Sequence, residues 1–458
     1  MTKKVKNIHL IGIGGSGMNG IAEILLNLGF MVSGSDLNST PITKHLESIG
    51  ANIFKGHSPD NVSTCDVVVY SSAVKEDNLE IITARERKIP VIKRPEMLAE
   101  LMRMKYGICI AGTHGKTSTT SMVGQILTKG DIDPTIIVGG RVTDFGGGAK
   151  IGQSHYLVLE ADEYDRTFLK LTPVIAVVTN IDLEHLDCYE DIDDIKSAFV
   201  QFVNKVPFWG SVILCIDNLG VQSIIPEIER KIITYGVSPH AEIRAVNIVY
   251  EGIKTTFNVV ANGEEMGSIT LNVPGTHNVR NALAAITIAM EMEIPFETIS
   301  GALAGYVSVE RRFQIIGEKS GIMVVDDYAH HPTEIIASLE GIRAGFDKRI
   351  IAIFQPHLFT RTRDFYEDFG RAFMETDVLF VTDIYPSREA PISGVTGNMV
   401  SEAATAAGHR SAKFIPDRKE LIDAVADCAE SGDIVVTFGA GDVNKIGYEL
   451  LEVFGKRS

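Results

Sequence analysis

Residues 107–118 read Gly107-Ile108-Cys109-Ile110-Ala111-Gly112-Thr113-His114-Gly115-Lys116-Thr117-Ser118. The run 107–110 is apolar and the stretch from Ser118 to Leu127 is amphipathic, so the glycines fall where a buried strand becomes a helix. Glycine lets the backbone approach an anion, and the opening helix offers unpaired N–H groups and the positive end of its dipole. Lys116 can reach terminal phosphates, and Thr117 has the hydroxyl that a bound Mg²⁺ uses. Ile110 stands where the longer Walker loop has its first glycine, so this is a shortened loop whose Gly-Lys-Thr end carries the charge chemistry. Gly112, Thr113, His114, Gly115, Lys116, Thr117 and Ser118 are therefore expected to cradle the phosphates of a nucleotide.

Two further apolar runs deliver polar groups beside this loop. Residues 157–163, Leu157-Val158-Leu159-Glu160-Ala161-Asp162-Glu163, read as a buried strand with carboxylates at its C-terminal end, where open α/β sheets bind their ligands. Glu160 is expected to hold a metal beside the phosphates. Asp162, Glu163 and Asp165 fit either that role or a solvated acidic turn. The run 174–180 ends in Ile181-Asp182-Leu183-Glu184-His185, which brings His185 to the same sheet edge as a candidate metal ligand.

Upstream, the strand-like run 7–13 is followed by Gly12-x-Gly14-Gly15-x-Gly17 and an amphipathic stretch through Leu28, and a second strand ends at Asp36. This is a dinucleotide-type start, and by itself it suits NAD, a flavin or the diphosphate of a sugar nucleotide. Beyond the phosphate loop, β-α alternation continues until residues 241–273, where short alternating segments and the turn Asn262-Gly263 predict an antiparallel flap. Alternation then resumes from Phe313. The fold class expected is α/β in three domains: an N-terminal Rossmann-like domain (1–105), a central P-loop ATPase-like domain with a mostly parallel sheet (106–313), and a C-terminal Rossmann-like domain (314–458).

Composition narrows the function. Hydrophobic residues make up 45% and charged residues 22%, as in an ordinary globular protein, and the net charge of -16 at pH 7 argues against a general nucleic-acid binder. No stretch approaches the ~18 uncharged apolar residues of a membrane span. The basic N-terminus lacks the apolar core of a signal peptide, and the scattered Cys65, Cys109, Cys188, Cys215 and Cys428 read as free thiols of a cytoplasmic protein.

The loop, Glu160 and His185 occur in the order and spacing of the Mur ligases, and the chain resembles that family. Further matches are Pro274-Gly275-Thr276-His277-Asn278-Val279-Arg280-Asn281, Glu310-Arg311-Arg312-Phe313 and the run 325–334 around Asp327, Tyr328 and His330. Residues 12–17 with 34–36, 355–363 and 383–392 are most similar to the alanine-adding branch. The resemblance implies an ATP- and Mg²⁺-dependent acid–amino-acid ligase of peptidoglycan precursor synthesis. It would act on UDP-N-acetylmuramate and L-alanine through an acyl phosphate, as a cytoplasmic monomer or homodimer.

By the same resemblance Lys116 grips the β- and γ-phosphates, Thr117 and Glu160 bind one Mg²⁺, and His185 binds a second. Asn278 and Asn281 lie on the adenine side, Arg312 meets the γ-phosphate and Asp327 the ATP ribose. Tyr328, His330 and Arg361 receive the amino acid, while Gly12, Gly14, Gly15, Gly17 and Asp36 hold the UDP moiety. Residues 197–202 contain no lysine, so the carbamylated lysine of other family members is not expected, and Leu358-Phe359 replace an Arg-Tyr pair of some alanine-adding enzymes. A peptide-adding recycling ligase of the same family and, from the first glycine loop alone, an NAD-dependent oxidoreductase are the competing readings.

Overall fold

The computed structural model describes residues 5–456 except 16, 72, 143–146, 185–187 and 388, with the backbone alone for 139–142, 147 and 148. His185 therefore lies outside the described residues. Among the described residues the strands form sheets of five, ten and six members, mostly parallel, as the alternation of apolar runs and amphipathic stretches requires.

The first sheet runs in the order Asn52–Lys55, Met31–Asp36, Asn7–Ile11, Val67–Tyr70, Val91–Lys93, with every pairing parallel. Its central strand is buried on both faces: Ile8 and Leu10 join one apolar cluster, and Ile11 joins another. Strands covered by helices on both sides carry near-continuous apolar runs, which is why residues 7–11 and 67–70 could be located from composition. Chain order reverses at this central strand, and the first glycine loop leaves its C-terminal end.

In the second sheet the strand Tyr106–Ala111 lies between Ile175–Val178 and Tyr156–Glu160. The parallel register sets Ala111 opposite Val178 and Ile110 opposite Glu160. The phosphate loop, the acidic run after Leu159 and the polar run after Val178 therefore emerge side by side at one edge. Ser211–Cys215 and Ile232–Gly236 extend the parallel part, and Thr135–Val142 with Gly147–Lys150 closes the far side with an antiparallel pair. The flap expected over 241–273 is formed by Ile243–Glu251, Lys254–Ala261 and Glu264–Leu271, and Asn262 and Gly263 both have positive φ (51° and 89°), as a two-residue hairpin turn demands.

The third sheet has the order Gln314–Lys319, Ile322–Asp327, Ile434–Phe438, Ile350–Phe354, Val378–Val381, Ala412–Phe414. The first pair is antiparallel and the others are parallel. Helices cover both faces, with Phe354, Phe369, Phe373 and Phe438 in one cluster and Phe380 and Phe454 in the other.

The chain divides into two compact units. One takes the residues through Ala245 with Val259–Gly267 and Arg280–Leu303; the other takes Val246–Asn258, Ser268–Val279 and the chain from Ala304 on. Among the described residues no helix is long and apolar enough to cross a membrane, and all five cysteines are free thiols.

Candidate active site

The first unit holds the phosphate loop. Gly115 caps the helix Lys116–Lys129 with φ 82°, and no side chain caps the helix start. A Cβ at Gly115 would lie 2.6 Å from Asn281 Oδ1, and one at Gly112 (φ 128°) would lie 2.1 Å from Thr179 Oγ1, so both positions require glycine on steric and conformational grounds. The first-turn N–H groups consequently face outward from a bare backbone cradle, which is what an anion needs.

The residues after the strand Ile175–Val178 fasten the loop. Asn180 Oδ1 accepts from His114 N at 2.8 Å, Asn180 Nδ2 donates to His114 O at 3.0 Å, and the Thr179 hydroxyl donates to His114 O at 2.6 Å. Thr113 N donates to Asn180 O at 3.1 Å, while Thr113 Oγ1 accepts from Asp182 N at 2.9 Å. A loop bonded from both sides keeps its shape without a ligand, so little ordering entropy is lost when one binds.

Lys116 does not extend into solvent. Its Nζ donates to Glu163 Oε2 at 2.8 Å and Oε1 at 3.0 Å, and to the carbonyls of Gly112 (2.6 Å) and Thr113 (3.1 Å). Glu163 is 2% exposed, and its backbone carbonyl accepts from Tyr189 OH at 2.6 Å, which anchors the main chain beneath the pair. Burial pulls the Lys116 pKa down, but Glu163, Asp162 and Glu184 more than offset it and hold the amine above the ordinary lysine value. Of the acids left open between a site and a solvated turn, Glu163 is thus a buried partner of the loop lysine. Glu160 stands at the end of its strand and lines a cavity of about 170 Å³ together with Lys116 and Asp162.

The first glycine loop is in the same unit. Gly12 N and Ile13 N donate to Ser35 O (2.8 and 3.1 Å), and Gly14 N donates to Asp36 Oδ2 at 3.0 Å. Glu80, fully buried, supports this arrangement by accepting from Ser35 Oγ at 2.6 Å, Asn61 Nδ2 at 2.6 Å and His57 Nδ1 at 3.0 Å. Burial alone would raise its pKa, yet the hydrogen bonds from His9, Ser35 and Asn61 bring it down to about 2. Asn281, expected on the adenine side, accepts from Thr119 Oγ1 at 3.2 Å.

The second unit gathers the remaining expected residues. Arg312 Nη1 donates to Glu334 Oε1 at 3.2 Å, and its guanidinium lies over the Tyr328 ring at 5.3 Å. Its neighbour Arg311 pairs with Asp326 at 2.8 Å and also covers Tyr328. His330 Nδ1 lies 3.0 Å from Tyr328 O, and the His330 backbone N–H donates to Glu334 Oε2 at 3.0 Å. Asp327 accepts from Ala329 N (2.9 Å), Ser338 Oγ (2.8 Å) and Phe313 N (3.3 Å), and burial pushes its pKa up to about 6 against the pull of Arg312. Asn278 Nδ2 donates to Pro274 O at 2.7 Å.

Arg361 lies in the first turn of the helix Phe359–Ala372, just after Leu358, whose φ of 70° is outside the range a leucine normally adopts. Such strain gathers at functional sites. Here Leu358 N donates to Tyr385 O at 3.0 Å, and the His357 and Tyr385 rings stack with centroids 5.9 Å apart. Burial, His330 and Arg361 lower the His357 pKa to about 4, so the imidazole is neutral at pH 7.

Asn180, Glu334 and Glu80 were missed as supports. Asn180 closes an apolar strand run and Glu334 follows His330 by one helical turn, both readable signals, whereas Glu80 sits in a short amphipathic stretch that gives none.

Models of the Mur ligase family match residues 7–106 (catalytic domain), 110–289 (middle domain) and 311–441 (glutamate ligase domain). The chain is 53% identical over 452 residues to a UDP-N-acetylmuramate–L-alanine ligase of Geotalea daltonii, covering 99% of each. It is similar to the crystal structure of a UDP-N-acetylmuramate–alanine ligase of Thermotoga maritima, with a TM-score of 0.80 and 28% identity over 99% of this chain and 100% of that one. A murein peptide ligase of Psychrobacter arcticus aligns with a TM-score of 0.68 and 26% identity over 98% and 99%. With all three family models in chain order and relatives matched end to end, this chain belongs to the Mur ligase family.

Proposed function

We propose that this chain is an ATP-dependent ligase that joins L-alanine to the carboxylate of UDP-N-acetylmuramate in peptidoglycan precursor synthesis. The observation that carries the reading is Lys116 at the uncapped helix start, held between Glu163 and its own loop carbonyls, in a chain matched over its whole length by alanine ligases. The peptide-adding alternative is not favoured, since of the two solved structures the murein peptide ligase is less similar than the alanine ligase by both TM-score and identity. Nothing beyond the first glycine loop favours an oxidoreductase.

Amide formation from a carboxylate needs activation. A carboxylate oxygen of the muramyl group attacks the γ-phosphorus, the bond from that phosphorus to the bridging oxygen of ADP breaks, and an acyl phosphate forms. The neutral amine of alanine then attacks the acyl carbon; the C–O bond breaks, phosphate leaves and the nitrogen sheds its proton. Lys116 neutralises charge that builds on the phosphoryl oxygens, and the bare N–H groups of the helix start hold the phosphates in line. Orienting both partners can itself supply roughly 7–11 kcal/mol.

Mg²⁺ takes one or two protein oxygens and fills its sphere with phosphate and water. Thr117 and Glu160 would hold it, with His185 as a further ligand, and bound there it would offset phosphate charge. Arg312 would meet the γ-phosphate, Asn278 and Asn281 the adenine, Asp327 the ribose, and Tyr328, His330 and Arg361 the alanine. The division 1–105, 106–313 and 314–458, a cytoplasmic location and a monomer or homodimer complete the proposal.

The test is phosphate release with ATP, Mg²⁺ and UDP-N-acetylmuramate against a panel of amino acids and the murein tripeptide. Release that depends on alanine is expected. Release that depends on the tripeptide and not on alanine would overturn the assignment.

A further inference from the structure

The cavity beside Lys116 has a second cation on its wall, Arg94, at the start of the helix Arg94–Met102. All of its lining belongs to the first unit. Lys116, on the same wall, has Glu163 as its acid. Arg94 has neither a hydrogen bond nor an ion pair among the described residues, although Glu160 and Asp162 line the same cavity. A guanidinium on a cavity wall, with its donors not taken by a carboxylate of the chain, can hold a carboxylate of a ligand.

Its position is fixed from the glycine-loop side. A Cβ on Gly17 would lie 2.0 Å from Arg94 Nη1 and 3.0 Å from its Cζ, so the last glycine of the first loop is the floor on which the guanidinium rests. Arg94 therefore links the two glycine loops: it touches the end of the first and shares a cavity with the lysine of the second. At about 170 Å³ the cavity is well below the roughly 300–1,000 Å³ that encloses a whole drug-sized ligand, and it suits a fragment of a few heavy atoms. Leu98, Ile137, Phe168 and Leu171 supply the apolar part of its lining.

We infer that Arg94 binds the lactyl carboxylate of the sugar-nucleotide substrate, the group to be phosphorylated, with the lactyl methyl against the apolar wall. The inference rests on the sugar-nucleotide reading above. A three-carbon acid is of the size this cavity takes beside Lys116. One guanidinium edge holding one carboxylate oxygen leaves the other oxygen to face the phosphate loop, and the apolar wall keeps water from the acyl phosphate.

The test is calorimetric titration of the full chain, wild type, Arg94→Lys and Arg94→Ala, with UDP-N-acetylmuramate and with UDP-N-acetylglucosamine, which lacks the lactyl carboxylate. Arg94→Ala is expected to weaken UDP-N-acetylmuramate binding about 30-fold or more and to leave UDP-N-acetylglucosamine binding within about twofold. Arg94→Lys should recover part of the loss, and the KM for ATP should be unchanged in both variants. A merely structural arginine would move both ligands together or neither. Equal loss for the two ligands, or an unchanged Kd for UDP-N-acetylmuramate, overturns the carboxylate assignment while leaving the ligase reading standing. A wild-type protein that binds neither nucleotide overturns that reading and the role of Arg94 with it.

Discussion

The first unit contains two glycine loops built on one plan, each leaving a central parallel strand and opening a helix, yet their charge is arranged oppositely. The loop around Gly115 carries its own cation, Lys116, and draws an acid, Glu163, from the neighbouring strand end. The loop Gly12–Gly17 carries no cation; a carboxylate, Asp36, accepts from Gly14 N, and the positive charge comes from Arg94 on a separate helix. A backbone cradle is thus generic, and the side chains brought to it determine which anion it takes and what happens there. A lysine within the loop can follow a phosphoryl group as its charge redistributes. An arginine braced on a glycine is suited to holding a substrate still.

Loss of the cation within the loop is expected to have the largest effect. Lys116→Ala is expected to lower turnover about 10³-fold or more, the scale of losing a main stabiliser of transition-state charge, while UDP-N-acetylmuramate still binds. Steady-state ADP formation together with direct ligand titration checks both halves. Turnover within a few fold of wild type would remove Lys116 from the chemistry.

Glu163→Gln sharpens the same contrast with a smaller effect. It keeps the side-chain shape but removes the largest of the negative charges that offset burial, leaving Asp162 and Glu184, so the Lys116 pKa falls. The alkaline limb of the kcat/KM profile for ATP should move to lower pH, with a loss that grows as pH rises. A profile that falls uniformly without shifting would show that Glu163 only packs.

The smallest effect on turnover is expected behind the first loop. Glu80 is held at about pKa 2 against 4.5 for a free glutamate, so its stabilisation is fully present above about pH 4.5 and is lost as pH falls toward 2. Glu80→Gln should therefore lower stability by on the order of 3 kcal/mol at pH 7 and by progressively less at acid pH. Denaturant melts at a series of pH values read this directly; a constant difference across pH would mean that lost packing, not charge, accounts for it.

The sequence alone exposed the parts of this molecule whose cause is local. Residues 107–118 reveal a strand, a tight turn and a helix start because apolar periodicity and glycine both act over a few residues, and the strands at 156–160, 175–178 and 434–438 are recognisable by their buried apolar runs. The short edge strands Ala412–Phe414 and Asn52–Lys55, only half buried, lack such runs and were not separable from turns. At the site, Lys116, Thr117 and Glu160 were legible from spacing. The pairing of Lys116 with Glu163, the clamp made by Asn180 and the approach of Arg94 to Gly17 were not, since each joins residues 47, 66 or 77 positions apart and depends on sheet order.

The central claim is that the sugar-borne carboxylate is phosphorylated before nitrogen arrives. Its most direct test uses UDP-N-acetylmuramate labelled with ¹⁸O in the lactyl carboxylate, turned over with ATP, Mg²⁺ and L-alanine, with the released phosphate analysed by mass. The account predicts one carboxylate ¹⁸O atom in each phosphate released from a fully labelled substrate. Phosphate free of label, with alanine nonetheless joined to the sugar nucleotide, would contradict it.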